Sequence, residues 1–327
     1  MKCNLCGHND GSILLDAAKA NPAPHPVIYF RCKRCSFVTL NLNYADWLPG
    51  YVSASEQQND DQMQMYVLQE QAETWSVIAQ FFSLRKHFPI ISEILEGAGK
   101  RIVDVGCGAG GSLLVYQALG WQTCGIEPGE RQSEYARTKL ELDVHSEFYS
   151  RQLLPAESLD MIHNFHTLEH IENPFRFLQN FSYHLRPGGL LYIETPNVVD
   201  TERSQLGFGH ISLFSPVVLR QTLQTCGFEI ITTLDRSAFT PHGIGILARK
   251  RIDLEISDEA VDADCIPTIS EAWRKDPWFL QRIGLAYAFW VGRSGEVNWL
   301  SWPYRLLEIF LKKYIAPRLR ALRRKRR

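Results

Sequence analysis

The chain lacks any apolar run approaching the ~20 residues needed to cross a bilayer, which excludes a single apolar helical span. Its opening, Met1-Lys2-Cys3-Asn4-Leu5-Cys6, has none of the apolar core of a secretory leader. The expectation is a cytoplasmic protein, in a reducing compartment where paired cysteines bind metal more often than they form disulfides. No internal repeat is present, which excludes a solenoid or a propeller. Net charge is nearly absent too: 35 Lys and Arg stand against 36 Asp and Glu. A chain that coats nucleic acid phosphates would be basic overall. What remains is 327 residues with 45% hydrophobic and 22% charged side chains, the balance of a globular protein. That length holds one α/β domain with smaller appendages.

The near-zero charge hides a split. Residues 303–327 carry ten Lys and Arg against one acid, Glu308, so this tail is +9 and the rest of the chain −10. Between Trp299 and Leu322 the basic residues alternate with Trp302, Leu306, Ile309, Phe310 and Tyr314. Pro303 suits a first helical turn, and Pro317 ends or kinks the helix. This reads as a basic amphipathic helix that meets an anionic membrane surface from the cytoplasmic side. A helix docked on the protein itself, or a basic arm for nucleic acid, would show the same composition.

Eight cysteines are present, and four of them are patterned. Cys3-x-x-Cys6 and Cys32-x-x-Cys35 form two knuckles that together supply four thiolates, enough for a closed tetrahedral zinc site. Such a site has no open position, so the expected zinc is structural. It stabilises a segment of about 40 residues, too short to build a core alone. Met65, Leu68, Ala72, Trp75 and Ala79 then recur at helical spacing within 57–80, which predicts an amphipathic helix covering the next domain, and Leu84 to Leu95 reads as a further helix.

Val103-Asp104-Val105-Gly106-Cys107-Gly108-Ala109-Gly110-Gly111 is a strand running into a glycine-rich turn that opens a helix. The β-branched residues suit a buried parallel strand. Gly106, Gly108 and Gly110 permit positive φ and a close approach of ligand to backbone. Any tight βα turn can carry such glycines. Here a second strand follows, with Glu127 at its carboxyl end about 20 residues on, where an acid can accept both ribose hydroxyls of a nucleoside. The alternation continues: strand 101–105, helix 111–119, strand 122–127, helix 130–141, a short strand near 143–146, strand 159–165, helix 174–185, strand 189–195, helix 216–226, then strands 228–234 and 243–249. That is a parallel sheet with helices on both faces, closed by an antiparallel hairpin.

The loop wording Asp-Val-Gly-Cys-Gly-Ala-Gly with the following Gly-Ile-Glu-Pro resembles the S-adenosylmethionine (SAM) methyltransferases of Rossmann-like fold. Four later segments match in order: Leu159-Asp160-Met161-Ile162, Leu168-Glu169-His170, Leu185-Arg186-Pro187-Gly188-Gly189, and His210 through Ser215. The resemblance covers about residues 85–250. It implies a seven-stranded α/β methyltransferase sheet, preceded by the zinc ribbon and followed by the helical basic tail. The chain is thereby divided into a ribbon (1–40), a helical linker or lid (41–96), a SAM-binding domain (97–251) and a C-terminal extension (252–327). A cysteine ribbon before such a domain resembles bacterial methyltransferases of sugar and surface-glycan biosynthesis. The Leu-Glu-His and Pro-Gly-Gly elements are similar to quinone-biosynthesis O-methyltransferases.

The resemblance assigns cofactor contacts to Asp104, Gly106, Gly108, Gly110 and Glu127. His166 and His210 are the candidate general bases, since histidine takes a hydroxyl proton near neutral pH. The expected acceptor is a hydroxyl of a small, sugar-containing or lipid- or carrier-linked molecule. Nucleic acid is disfavoured by the negative main body, and because the fourth strand ends in Asn164-Phe165-His166 rather than an Asn/Asp-Pro-Pro-aromatic motif. A catalytically silent SAM-fold scaffold at a membrane is the other reading.

Overall fold

The computed structural model describes residues 2–16, 28–40, 62–198, 209–234 and 243–252. The basic helix expected between 299 and 322 lies outside the described residues.

The body is one seven-stranded sheet. Its strands are β4 (Arg101–Val105), β5 (Gln122–Ile126), β6 (Val144–His145), β7 (Leu159–Phe165), β8 (Leu185–Pro196), β10 (Phe228–Leu234) and β11 (Gly243–Lys250). Their order is β10-β11-β8-β7-β4-β5-β6. β4 through β8 are parallel, and β11 enters antiparallel between β8 and β10. The fold class matches the expectation. Seven strand and helix spans differ from it by three residues or fewer at their ends.

Alternate residues of the central strands feed two cores, as a sheet buried on both faces requires. Ile102, Met161, Leu190 and Tyr192 pack with α1 (Gln62–Ser83), α2 (Phe88–Leu95) and α3 (Gly111–Ala118). Val103, Val105, Ile162 and Leu191 pack with α5 (Pro174–His184) and α6 (Pro216–Thr225) on the other face. Helix starts follow local chemistry: the Asn173 side chain accepts from Arg176 N at 3.0 Å, Ser215 does the same for Val218 N, and a proline follows each cap. The remaining helix, α4 (Glu130–Lys139), stops early because Glu141 takes φ 56°.

Three expectations are corrected. The single helix expected over 84–95 is a 3-10 turn, Leu84–His87, followed by α2. Pro89 is tolerated in a first helical turn but would break a continuous helix. β8 begins at Leu185 rather than 189, because its register against β7 slips at the Pro187-Gly188-Gly189 segment. The third correction concerns the face of α1. Met65 and Leu68 are exposed, at 37% and 59%, and the buried line runs through Tyr66, Glu70, Thr74, Val77 and Phe81. Thr74 Oγ1 donates to Glu70 O and to Gly111 O, which binds α1 to the start of α3.

The cysteine ribbon is joined to this body through β-pairing. β1 (Gly11–Asp16), β2 (Ile28–Cys32) and β3 (Val38–Leu40) form an antiparallel sheet whose fourth strand is β9 (Ser212–Leu213). Phe37 packs on Phe214 with ring centroids 4.9 Å apart. Cys3, Cys6, Cys32 and Cys35 are buried in the same core as Phe177, Phe181 and Ile193.

Candidate functional site

The chain leaves β4 toward β5 on one side of the sheet, while β7 lies on the other side. That reversal of strand order opens a crevice at the carboxyl ends of β4 and β7. Asn164 Nδ2 donates to Val105 O at 2.8 Å and ties the two strand ends together. A cavity of about 780 Å³ sits in the crevice, the size of a small-molecule site. Its walls come from α1, the glycine loop, the end of β5, the 148–152 segment and the end of β7.

Gly106 and Gly108 line the cavity at φ 78° and 52°. A Cβ on Gly106 would strike Thr167 Oγ1, and one on Gly108 would strike Glu73 Oε1. Gly110 has φ 88° but faces Leu142 and Ala136, so its glycine is required by backbone conformation and helix packing, away from the cavity lining. Glu127 bridges the loop: Oε2 accepts from Gly108 N at 3.0 Å and Oε1 from Gly129 N at 2.8 Å. Burial raises its pKa, partly offset by these two N–H donors. Asp104 is 2% exposed. The Ser112 hydroxyl donates to its Oδ2, and its Oδ1 lies 3.1 Å from His163 Nδ1.

This is a glycine cradle with an acid at the end of the second strand, and a family model described as a methyltransferase domain matches residues 60–233, more than half of the chain. The chain belongs to the SAM-dependent methyltransferases. It is 25% identical over 185 residues to a probable S-adenosylmethionine-dependent methyltransferase of Mycolicibacterium smegmatis, covering 55% of this chain and 68% of that one. It is 29% identical over 147 residues to a ubiquinone biosynthesis O-methyltransferase of Agrobacterium fabrum, covering 38% and 59%. The chain thus spans about two thirds or less of the lengths of these relatives. A putative S-adenosylmethionine dependent methyltransferase from Listeria monocytogenes is similar in structure at TM-score 0.44 and 15% identity, over 54% of this chain and 99% of that one.

The residues of this methyltransferase fit its cofactor. Gly106 and Gly108 present bare backbone to the cavity, and Glu127, also in its wall, keeps lone pairs beyond its two backbone contacts.

On the acceptor side, His166 follows β7 with φ 50°, a left-handed conformation rare outside glycine. Its N–H donates to Glu194 O at 2.9 Å. Nδ1 lies 3.2 Å from Glu169 Oε1, whereas Nε2 is buried with no hydrogen-bond partner among the described residues. Glu169 is 1% exposed, and its other oxygen accepts from Thr195 Oγ1 at 3.0 Å. Burial pushes the His166 pKa down, but the Glu169 hydrogen bond and the charges of Glu169 and Glu194 outweigh it, and the net shift is upward. For Glu169, burial pushes up, and His166, with the charges of His170 and His210, brings the carboxyl down to about 2. His210 stacks edge-on to His170 at 5.2 Å, behind the cavity lining that His166 and His170 form. The structure thus brings His166 to the cavity and His210 to its second layer.

Sequence reasoning missed Glu73, Gln69 and Ser76 of α1, which share one helical face and line the cavity. The apolar spacing of α1 pointed to a different face. Glu194 was also missed, because the last residues of a buried strand carry no distinguishing pattern.

Proposed function

We propose that this methyltransferase methylates a hydroxyl of a small-molecule or carrier-linked acceptor, with His166 as general base. The observation that carries the reading is the His166–Glu169 pair at the cavity wall: Nδ1 is held by a buried carboxylate, and Nε2 makes no hydrogen bond among the described residues, with Glu194 Oε1 3.7 Å away. When bound, SAM supplies an electrophilic methyl group on a sulfonium. The protein holds the acceptor and takes its proton at His166 Nε2. Gly106, Gly108 and Glu127 are the proposed cofactor contacts, with Glu127 accepting from the ribose hydroxyls. Asp104 ties β4 to the start of α3 through the Ser112 hydroxyl and lies 3.1 Å from His163 of β7. The relatives named for ubiquinone biosynthesis O-methylation support an oxygen acceptor.

Zinc in the ribbon is part of the same proposal. The sulfur pairs Cys3–Cys35 and Cys6–Cys32 are each 3.7 Å apart, and all four ligand atoms lie within 4.8 Å of one another. Four thiolates at ~2.3 Å from one tetrahedral ion stand at about this separation, and a disulfide would need ~2.05 Å.

The test offers SAM with hydroxyl acceptors in three classes, namely phenolic quinone precursors, nucleotide sugars and lipid-linked glycans. The lipid-borne class is presented both in detergent and on anionic liposomes, since segment 303–327 is the proposed membrane contact. Methyl transfer to oxygen, lost about 100-fold or more in His166→Ala with S-adenosylhomocysteine (SAH) affinity kept, is the expected result. Methylation on nitrogen or carbon, or a fully active His166→Ala, would overturn the reading.

A further inference from the structure

Three carboxylates converge on the glycine loop. Asp104 comes from β4 and Glu127 from the end of β5. The third, Glu73, comes from α1. Glu73 Oε2 accepts from Gly111 N at 2.7 Å and Oε1 from Ala109 N at 3.2 Å. The loop donors that could seat an incoming carboxylate are therefore already occupied by the protein's own. Among the described residues, Glu73 faces the Asp104 and Glu127 carboxylates, the Cys107 thiol in the loop and the Tyr135 phenol on α4, none of them a cation. Burial, with Asp104 and Glu127 adding to it against the two N–H donors, raises the Glu73 pKa to about 8. The charge complement missing from this corner is positive.

We infer that Glu73 is a ligand for the α-ammonium of the cofactor, and that cofactor binding fastens α1 over the site through it. The inference rests on the SAM reading of the cavity and adds a residue outside the glycine loop and the second strand. Of the three acids, Asp104 is the most buried, at 2% exposed, with Oδ2 taken by the Ser112 hydroxyl and Oδ1 3.1 Å from His163 Nδ1. Glu127 lies at the β5 end, where the ribose is expected. Glu73 keeps part of its surface open to the cavity, and the Gln69 amide stands beside it against Gly108. Each Glu73 oxygen keeps a lone pair beyond its backbone contact for an ammonium N–H. At pH 7 a carboxyl with a pKa near 8 is mostly protonated, so an arriving ammonium displaces that proton.

The test is calorimetry of the full-length protein with two ligands. SAH carries the ammonium, and 5′-methylthioadenosine lacks the whole amino-acid tail. Glu73→Gln should weaken SAH at least tenfold while changing 5′-methylthioadenosine less than twofold, and Glu73→Asp should recover part of the loss. Repeated at pH 7 in buffers of different ionisation enthalpy, wild-type binding of SAH should release close to one proton more than Glu73→Gln. If Glu73→Gln weakens both ligands equally, Glu73 only shapes the loop and the inference fails. If it tightens SAH, Glu73 is a plug that competes with the cofactor, and the inference also fails. A wild-type protein that binds neither ligand would refute the cofactor reading itself, a failure separate from loss of the Glu73 effect alone.

Discussion

At the scale of single residues, the informative feature is a histidine held in an unfavourable backbone conformation. A left-handed φ at a non-glycine residue costs of order 1 kcal/mol or more and persists where its surroundings enforce it. Here the Glu194 carbonyl, the Glu169 carboxylate and the ring of Phe165, 4.4 Å away, do so. A base must be neutral to accept a proton. Since its carboxylate neighbours raise the pKa of His166, activity should climb with pH through a value above that of an ordinary histidine. Glu169→Gln removes the nearest of those charges, while Glu194, His170 and His210 stay in place. The acidic limb of the pH–rate profile should then move about one unit or more toward lower pH, and the plateau rate should fall because Nδ1 loses its orienting partner. An unmoved acidic limb would show that another group titrates. His166 and Glu169 were both within reach of sequence reasoning, because a histidine at a strand end followed by Leu-Glu-His is a local pattern. The pairing of Nδ1 with one of several nearby acids was not, because it depends on the left-handed turn between them.

At the scale of elements, α1 and the ribbon teach opposite lessons. Apolar spacing located α1 but set its buried face only in the second half, where Ala79 is buried and Trp75 packs on the core, while Met65 and Leu68 are exposed. The helix meets the start of α3 through Thr74, packs Tyr66 on Tyr135 of α4, and turns Gln69, Glu73 and Ser76 to the cavity, so a binding wall overrides the simple apolar stripe. The meeting of Cys3, Cys6, Cys32 and Cys35 was legible from two C-x-x-C knuckles alone. The ribbon's attachment was not: β3 pairs with β9 across more than 170 residues, and such pairing leaves no periodic trace in either segment. That attachment has an energetic consequence. With the four cysteines sharing a core with α5 and β8, metal loss should destabilise the whole body and not only the first 40 residues. One zinc per chain is expected by elemental analysis, and Cys35→Ser should lose the metal and lower Tm by about 10 °C or more. A metal-free wild-type protein with an unchanged Tm would contradict the proposed zinc site.

At the scale of the whole molecule, strict alternation of strand and helix made the parallel sheet readable, and strand order then fixes where a ligand must sit. Among the described residues no helix is long and apolar enough to cross a membrane. The order of motifs placed Gly106, Gly108 and Glu127 together before any coordinate did so, because the first βα turn and the neighbouring strand end are adjacent in every sheet of this topology. Gly110 was legible as a glycine but not in its task, since only packing reveals that it faces Leu142. The central claim is that this crevice binds SAM through the loop and Glu127, and calorimetry of SAH with wild-type protein and Glu127→Ala tests it most directly. A charged hydrogen bond is worth about 1.5–3 kcal/mol, so losing the ribose acceptor should weaken SAH by about 10- to 100-fold from a measurable wild-type affinity. Equal affinity in the two proteins, or no binding to the wild type, would contradict the account.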